Sequence, residues 1–219
     1  MSPEELKIID NTVAFVKAEL QNAEGGHDWF HIERVYRNAL LIAQTEDTDL
    51  FVVSLGALLH DIADSKFHNG DESIGPEKAR AFLTEQQVST ECIDHVVSII
   101  EHVSFKGGHT SDAFSSNELY VVRDADRLDA IGAIGIARCF NYGGYKNRAL
   151  YNPDIPPNLN MSKEEYKNST APTINHFYEK LLLLKDRMHT KTGRRIATDR
   201  HRYMEDFLTQ FYAEWNGEK

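Results

Sequence analysis

The stretch that decides the fold is Leu50-Phe-Val-Val-Ser-Leu-Gly-Ala-Leu-Leu-His-Asp61. Its first ten residues are apolar on nearly every side when they are wound as a helix, and such a helix belongs in a protein core. The final pair, His60 and Asp61, would carry polar and charged groups into a region of low dielectric, which is unfavourable unless an opposite charge meets them there. Because a bound cation supplies that charge most simply, the sequence predicts a metal site at the end of a buried helix.

Two further residues of ligand type occupy core-facing positions of other predicted helices. His31 shares a helical face with Val35 and Ile42, and Asp126 continues an apolar stripe that includes Val122. Imidazoles and carboxylates from separate helices make a mixed nitrogen and oxygen site, which suits a borderline divalent ion. These ligands leave coordination positions for water or a substrate oxygen, as catalytic sites do and closed structural sites do not.

The order of these ligand types resembles the signature of the HD-domain metal-dependent phosphohydrolases, an all-helical family named for its adjacent His-Asp pair. The likeness to the small stand-alone bacterial branch of that family covers about residues 25 to 215. The strings that carry it are Gly26-His-Asp-Trp-Phe-His-Ile-Glu-Arg-Val35, Leu58-Leu-His-Asp-Ile62, Asp124-Ala-Asp-Arg-Leu-Asp-Ala-Ile-Gly-Ala-Ile-Gly-Ile136 and Thr173-Ile-Asn-His-Phe-Tyr-Glu-Lys-Leu181. The resemblance implies a divalent metal on His31, His60, Asp61 and Asp126, and hydrolysis of phosphate esters or anhydrides, usually of nucleotides.

Periodicity and helix start signals predict an all-α fold, which the resemblance makes a single HD-type helical bundle of about eight or nine helices. That domain would occupy residues 1–219, with a metal-site core at about 25–130 and C-terminal helices at about 172–215 packing on it. Ser2 with Glu5, and Ser115 with Glu118, have the spacing of capping boxes. Helices are predicted near residues 2–20, 28–44, 48–63, 76–86, 89–103, 115–127, 129–142, 172–190 and 195–215.

Composition limits the partners of the chain. Its 219 residues are 41% hydrophobic and 26% charged, with a formal net charge of -10, so broad binding to polynucleotides is disfavoured. The net charge is compatible with a small nucleotide or phosphate ester as a partner. The sequence does not predict an oligomeric state. No apolar stretch is long enough for a membrane span, and the N-terminus lacks the pattern of a secretory signal. Cys92 and Cys139 have no metal-binding spacing and suggest free thiols, so we expect a cytoplasmic protein without membrane attachment.

Residues near the predicted ligands are candidates for catalysis. Asp64 leaves the same helix end as His60 and is predicted to orient the attacking water or to act as general base; a surface carboxylate is the equal alternative. His102 is the candidate proton donor or second-metal ligand near the end of its helix, whereas His95 is interpreted as a packed or surface residue. Asp129 is the nearest rival of Asp126, and it is predicted to pair with a basic group or to end the helix.

Residues that could contact a phosphate or base are more widely spread. His27 precedes the predicted start of the second helix, where substrate contact and a structural role are both compatible with the sequence. Basic side chains close to the ligands could offset phosphate charge. The predicted substrate-binding residues are His27, Arg34, Lys66, Lys106, Lys146 and Arg148. Tyrosines in the strings 141–145 and 175–178 could stack on a base, although core packing is the commoner role of such residues.

The predicted reaction is metal-assisted hydrolysis of a nucleotide, and its first candidate form is cleavage of a nucleoside triphosphate to a monophosphate and pyrophosphate. Mn²⁺ is favoured because two carboxylates balance two imidazoles, and Mg²⁺, Co²⁺, Fe²⁺, Ni²⁺ and Zn²⁺ remain open. The alternatives are a nucleoside monophosphate phosphatase and a cyclic-nucleotide phosphodiesterase. Outside this class, the same residues could form an HD-type di-iron oxygenase centre or a non-catalytic nucleotide-binding regulatory module.

The longest irregular stretch, residues 145–171, is rich in Asn and Pro. Loops of this length in compact domains are usually functional or disordered, so we expect a mobile lid over the nucleotide. Gly143 and Gly144, just before it, are predicted to form its hinge.

Overall fold

The computed structural model describes residues 1–21, 28–63, 71, 73–103 and 114–219. These residues form α-helices and one 3-10 helix with no strand among them, which confirms the all-α prediction. The α-helices are α1 (Pro3–Glu19), α2 (Trp29–Ala43), α3 (Leu50–Leu59), α4 (Ile74–Glu85), α5 (Thr90–Val103), α6 (Asn117–Asp129), α7 (Gly132–Tyr145), α8 (Lys163–Asn168), α9 (Asn175–Glu179) and α10 (Lys191–Trp215). No helix in these described ranges is both long and apolar enough to cross a membrane.

Contacts divide the chain into two compact units, Met1–Asp126 and Arg127–Lys219, so a single domain over residues 1–219 stays a prediction. In the first unit, α3 contacts α1, α2 and α5. Every residue of α3 after Leu50 is buried, as its apolar sequence predicts. In the second unit, α7 and the 3-10 helix Leu181–Arg187 both contact α10.

Side-chain caps begin several helices where the sequence predicts them. Ser2 and Glu5 form the complete capping box of α1, which confirms that prediction. The Asp28 carboxylate accepts a hydrogen bond of 3.0 Å from the His31 backbone N–H, so α2 begins directly after Asp28. This cap places His31 in the first turn of α2.

The predicted capping box of α6 is displaced by one residue. The hydroxyl that accepts a bond from the first turn belongs to Ser116, at 3.1 Å from the Leu119 backbone nitrogen. The Glu118 carboxylate instead accepts a bond of 2.9 Å from the Asp49 backbone N–H. A tertiary partner has therefore replaced the local one that the spacing of Ser115 and Glu118 suggests.

The predicted helix at 172–190 is wrong as one continuous element. It divides into α9 and the 3-10 helix, because the backbone of Lys180 (φ -144°, ψ -57°) leaves the helical region between them. The alternating string 131–136 does form a helix, α7, as interpreted from the sequence. Gly132 has φ +74°, and a Cβ atom there would lie 2.9 Å from the Arg200 Cγ atom, so glycine permits this close approach.

The segment 145–171 is joined to α9 by backbone hydrogen bonds. Thr173 and Ile174 donate to the carbonyl groups of Ala149 and Leu150, at 2.9 and 3.0 Å. The predicted hinge is wrong for Gly143, which lies inside α7 and packs against the Thr173 side chain. The close contact with Thr173, and not backbone freedom, explains why a glycine stands at position 143. The lid formed by residues 145–171 stays a prediction.

Replacing Gly143 by Ala is expected to lower the free energy of unfolding by about 1–3 kcal/mol, the usual cost of overpacking. The added Cβ atom would lie 2.2 Å from the Thr173 Oγ1 atom, so the backbone must shift. Denaturant unfolding measures the change. Gly144→Ala is the matched control, because a Cβ atom there has nothing within 4 Å and Ala favours the helix. Equal stability of the two variants would contradict this account of Gly143.

Candidate metal centre

His60 is presented by the end of α3, and its imidazole orientation is fixed by a backbone contact. The Nδ1 atom lies 2.9 Å from the Ala57 carbonyl oxygen. A carbonyl group only accepts, so Nδ1 carries a proton, and in the neutral ring Nε2 keeps its lone pair. Nε2 is buried and has no hydrogen-bond partner among the described residues. A buried polar atom without a partner is unfavourable, which marks Nε2 as a ligand position.

His31 and Asp126 face this nitrogen from two other helices. The His31 side chain is 2% exposed, and its Nε2 atom lies 3.6 Å from the Asp126 Oδ1 atom. The His60 Nε2 atom lies 4.0 Å from the same oxygen, and the two imidazole rings meet at an angle of 67° with centroids 5.3 Å apart. The ligand atoms of all three residues lie within 4.8 Å of one another. Three helices, α2, α3 and α6, therefore bring two nitrogens and one carboxylate oxygen together.

The spacing and chemistry of these atoms fit a divalent cation. Metal bonds of about 2.0–2.2 Å place neighbouring ligand atoms of one ion about 3–4 Å apart. The separations of 3.6 and 4.0 Å agree with this value and exceed the length of a direct hydrogen bond. The Asp126 side chain is 37% exposed, so the site opens to solvent on its carboxylate side.

The remaining carboxylates near the ligands have different surroundings. Asp61 follows His60 directly and is half-buried, but the ligand atoms within 4.8 Å of one another belong to His31, His60 and Asp126. The ligand role of Asp61 stays a prediction. Asp129 ends α6 and its Oδ2 atom lies 2.6 Å from the Arg138 Nη1 atom, so its predicted pairing with a basic group is confirmed.

The other predicted site residues are located as follows. Arg34 is half-buried on α2, and His102 lies near the end of α5 with Nδ1 2.8 Å from the Ser98 carbonyl oxygen. Lys146 is exposed at the end of α7, and Arg148 donates to the Ser169 carbonyl oxygen at 2.6 Å. His27, Asp64, Lys66 and Lys106 lie outside the described residues.

One buried cation was not singled out from the sequence. Arg123 is buried on α6 and donates a bond of 2.6 Å to the His102 carbonyl oxygen, so it joins the end of α5 to the middle of α6. The sequence contains one indication of this burial: Arg123 follows Leu119 by four positions and therefore shares the apolar face of α6. His95 contacts Ser116 at 2.9 Å and Glu118 at 3.4 Å, in agreement with the packed role interpreted for it.

Known proteins resemble this chain over nearly its whole length. The YpgQ protein of Bacillus subtilis is 36% identical, and the alignment covers 97% of this chain and 96% of YpgQ. A crystal structure of an HD-superfamily hydrolase from Bacillus thuringiensis is 43% identical with a TM-score of 0.78, covering 97% of this chain and 98% of that one. The crystal structure of B. subtilis YpgQ in complex with ADP is 34% identical with a TM-score of 0.74, covering 96% of each chain.

Residues 29–131 match the family model of the HD domain, and this range contains the three clustered ligands and the His60-Asp61 pair. The clustered ligand types are those that the family resemblance implied at these positions. The chain therefore belongs to the HD domain family.

Proposed function

We propose that this protein is a metal-dependent phosphohydrolase that acts on nucleotides. One observation carries the proposal: the buried His60 Nε2 atom lacks a hydrogen-bond partner and faces the same Asp126 oxygen as His31. An exposed carboxylate edge beside two buried imidazoles suits a site that must admit a substrate oxygen as well as an ion. Membership of the HD domain family, with a hydrolase among its solved relatives, supports hydrolysis as the reaction class.

The nucleotide part of the proposal is supported by the ADP complex of B. subtilis YpgQ, which is 34% identical to this chain. ADP combines a base, a ribose and a phosphate anhydride. We therefore place nucleoside polyphosphates first among the substrates, and cleavage of a triphosphate to monophosphate and pyrophosphate first among the reactions. The acidic net charge of -10 is compatible with this choice, because local cations are sufficient to bind a small anion.

Each residue of the site has a defined part in this proposal. His31, His60 and Asp126 would hold the ion, with Asp61 as the fourth ligand. The bond from His60 Nδ1 to the Ala57 carbonyl group fixes the ring and keeps the Nε2 lone pair available. A divalent ion supplies Lewis acidity, which polarises a phosphoryl oxygen and lowers the pKa of water. Asp64 and His102 remain the candidates for proton transfer, and Arg34 is the candidate phosphate contact nearest in sequence to His31.

Chelation is expected to abolish hydrolysis, and Mn²⁺ is expected to restore it better than Ca²⁺. A site that combines imidazole nitrogens with carboxylate oxygens suits Mn²⁺, whereas Ca²⁺ prefers shells made of oxygen ligands alone. The measurement is product release from a panel of nucleoside tri-, di- and monophosphates and cyclic nucleotides, before and after chelation. Release of pyrophosphate from triphosphates would support the proposed reaction. Release of phosphate from monophosphates alone would identify a nucleoside monophosphate phosphatase, and ring opening of cyclic nucleotides would identify a phosphodiesterase.

Three further results would reject the proposal. Hydrolysis that is indifferent to chelator would exclude a metal-dependent reaction. Nucleotide binding without any turnover in the presence of each metal would assign a regulatory module. Iron content with an optical spectrum typical of paired irons would assign the oxygenase class.

A further inference from the structure

The end of α7 carries two exposed tyrosines beside two cations. The Tyr142 and Tyr145 residues are 49% and 64% exposed, and their ring centroids lie 6.5 Å apart. The Lys146 Nζ atom lies 5.2 Å from the Tyr145 centroid and 5.8 Å from that of Tyr142. The Arg148 guanidinium carbon lies 5.6 Å from the Tyr142 centroid. These four residues are called the tyrosine–cation surface.

The backbone after α7 fixes the positions of both cations. Asn147 donates to the Gly144 carbonyl oxygen at 3.0 Å, and Arg148 donates to that of Gly143 at 2.9 Å. This pair of bonds is the Schellman motif of a helix C-terminus, and Asn147 adopts the left-handed conformation it requires, with φ +53°. The chain therefore turns back at Asn147, which holds Lys146 and Arg148 on either side of the turn.

Arg148 and Lys180 both lie near the buried imidazole of His176. Burial first, and then the charges of Lys180 and Arg148, lower the pKa of His176 to about 4, so that imidazole is neutral at neutral pH. Arg148 is itself held by its bond to the Ser169 carbonyl group. A cationic group that is positioned in this way attracts an anion even in a chain of net charge -10.

We infer that the tyrosine–cation surface binds a nucleotide, with the base stacked on a tyrosine ring and the phosphates in contact with Lys146 and Arg148. This inference goes beyond the proposed function, because it assigns nucleotide binding to residues outside the ligand cluster of the metal centre. Stacking uses the face of a base, which all bases share, and cations recognise phosphate charge. The surface therefore selects nucleoside polyphosphates without choosing among bases.

The first test measures ADP binding to the full chain by calorimetry in the presence of EDTA, so that metal-dependent binding is absent. Tyr142→Leu together with Tyr145→Leu is expected to weaken binding by about 5- to 100-fold, the range for loss of one stacked base. The double Phe variant keeps both rings and is expected to bind like the wild type. Lys146→Gln with Arg148→Gln should weaken ADP binding more than adenosine binding.

Lys17→Gln is the matched control for removal of a cation beside an aromatic ring. The Lys17 Nζ atom lies 4.6 Å from the Trp29 ring, but this pair belongs to α1 and α2. Lys17→Gln is expected to leave ADP binding unchanged. Circular dichroism of each variant checks that helical content is retained. A short oligonucleotide that binds more tightly than ADP would overturn the inference in favour of a single-strand surface.

Failure of this inference is distinguishable from failure of the proposed function. If the wild type hydrolyses nucleotides but the double Leu variant keeps the same ADP affinity in EDTA, the inference is overturned and the proposed function stands. If the wild type hydrolyses no nucleotide but the double Leu variant loses ADP affinity while the double Phe variant retains it, the inference stands alone.

Discussion

Replacing His60 by Ala is expected to reduce nucleotide hydrolysis about 10³-fold, because loss of the ion removes several kcal/mol of charge stabilisation from the transition state. The variant deletes the one buried ligand atom that has no other partner among the described residues. Bound metal, measured by elemental analysis, is expected to fall in parallel. Helical content should be retained, since the residues of α3 that form the core are unchanged.

A second histidine provides the control for this experiment. His95→Gln alters an imidazole that contacts Ser116 and Glu118 and that lies outside the ligand cluster, so its hydrolysis and metal content are expected to match the wild type. Asp61→Ala tests the fourth ligand, with the same losses expected as for His60→Ala. Full activity and full metal content in His60→Ala would remove the basis of the proposed metal centre.

Arg138→Met is expected to lower the free energy of unfolding by about 1.5–3 kcal/mol, because it removes a charge-assisted hydrogen bond from a buried carboxylate, which still interacts with the charge of Arg200. Asp129 is 1% exposed, and its Oδ2 atom lies 2.6 Å from the Arg138 Nη1 atom. Urea unfolding gives the measurement. Asp129→Asn removes the charge but keeps the side-chain shape, so we expect a smaller loss.

The exposed pair Arg80–Asp94 is the matched control, with a similar separation of 2.7 Å but side chains 48% and 58% exposed. Water screens such a pair, so Arg80→Met is expected to cost less than about 1 kcal/mol. If Arg138→Met and Arg80→Met lower the free energy of unfolding equally, burial does not strengthen the ion pair between Asp129 and Arg138.

The family resemblance, and not local sequence alone, favoured Asp126 over Asp129 as the ligand. The family pattern aligned Asp126 with the ligands, and Asp129 was predicted to pair with a basic group or to end the helix. The structure places Asp126 beside both histidines and Asp129 at the end of α6 beside Arg138. The sequence did not identify Arg138 as the partner, because that contact depends on where α7 begins and how it packs.

The sequence by itself determined the all-α class, the burial of α3 and the capping box formed by Ser2 and Glu5. Each depends on residues within one or two helical turns, so hydrophobic periodicity and side-chain chemistry specify it locally. The convergence of His31, His60 and Asp126 was also expected, because a buried polar group needs a partner and the family pattern supplied one.

Only the tertiary structure decided features that depend on contacts between distant residues. Glu118 bonds to Asp49 instead of capping its own helix, and Gly143 is required by its contact with Thr173 and not by a hinge. The turn at Asn147 brings Lys146 and Arg148 beside the tyrosines of α7. Sequence spacing gives the helical face on which a side chain lies, but packing selects the atom it meets, because several partners satisfy the same local pattern.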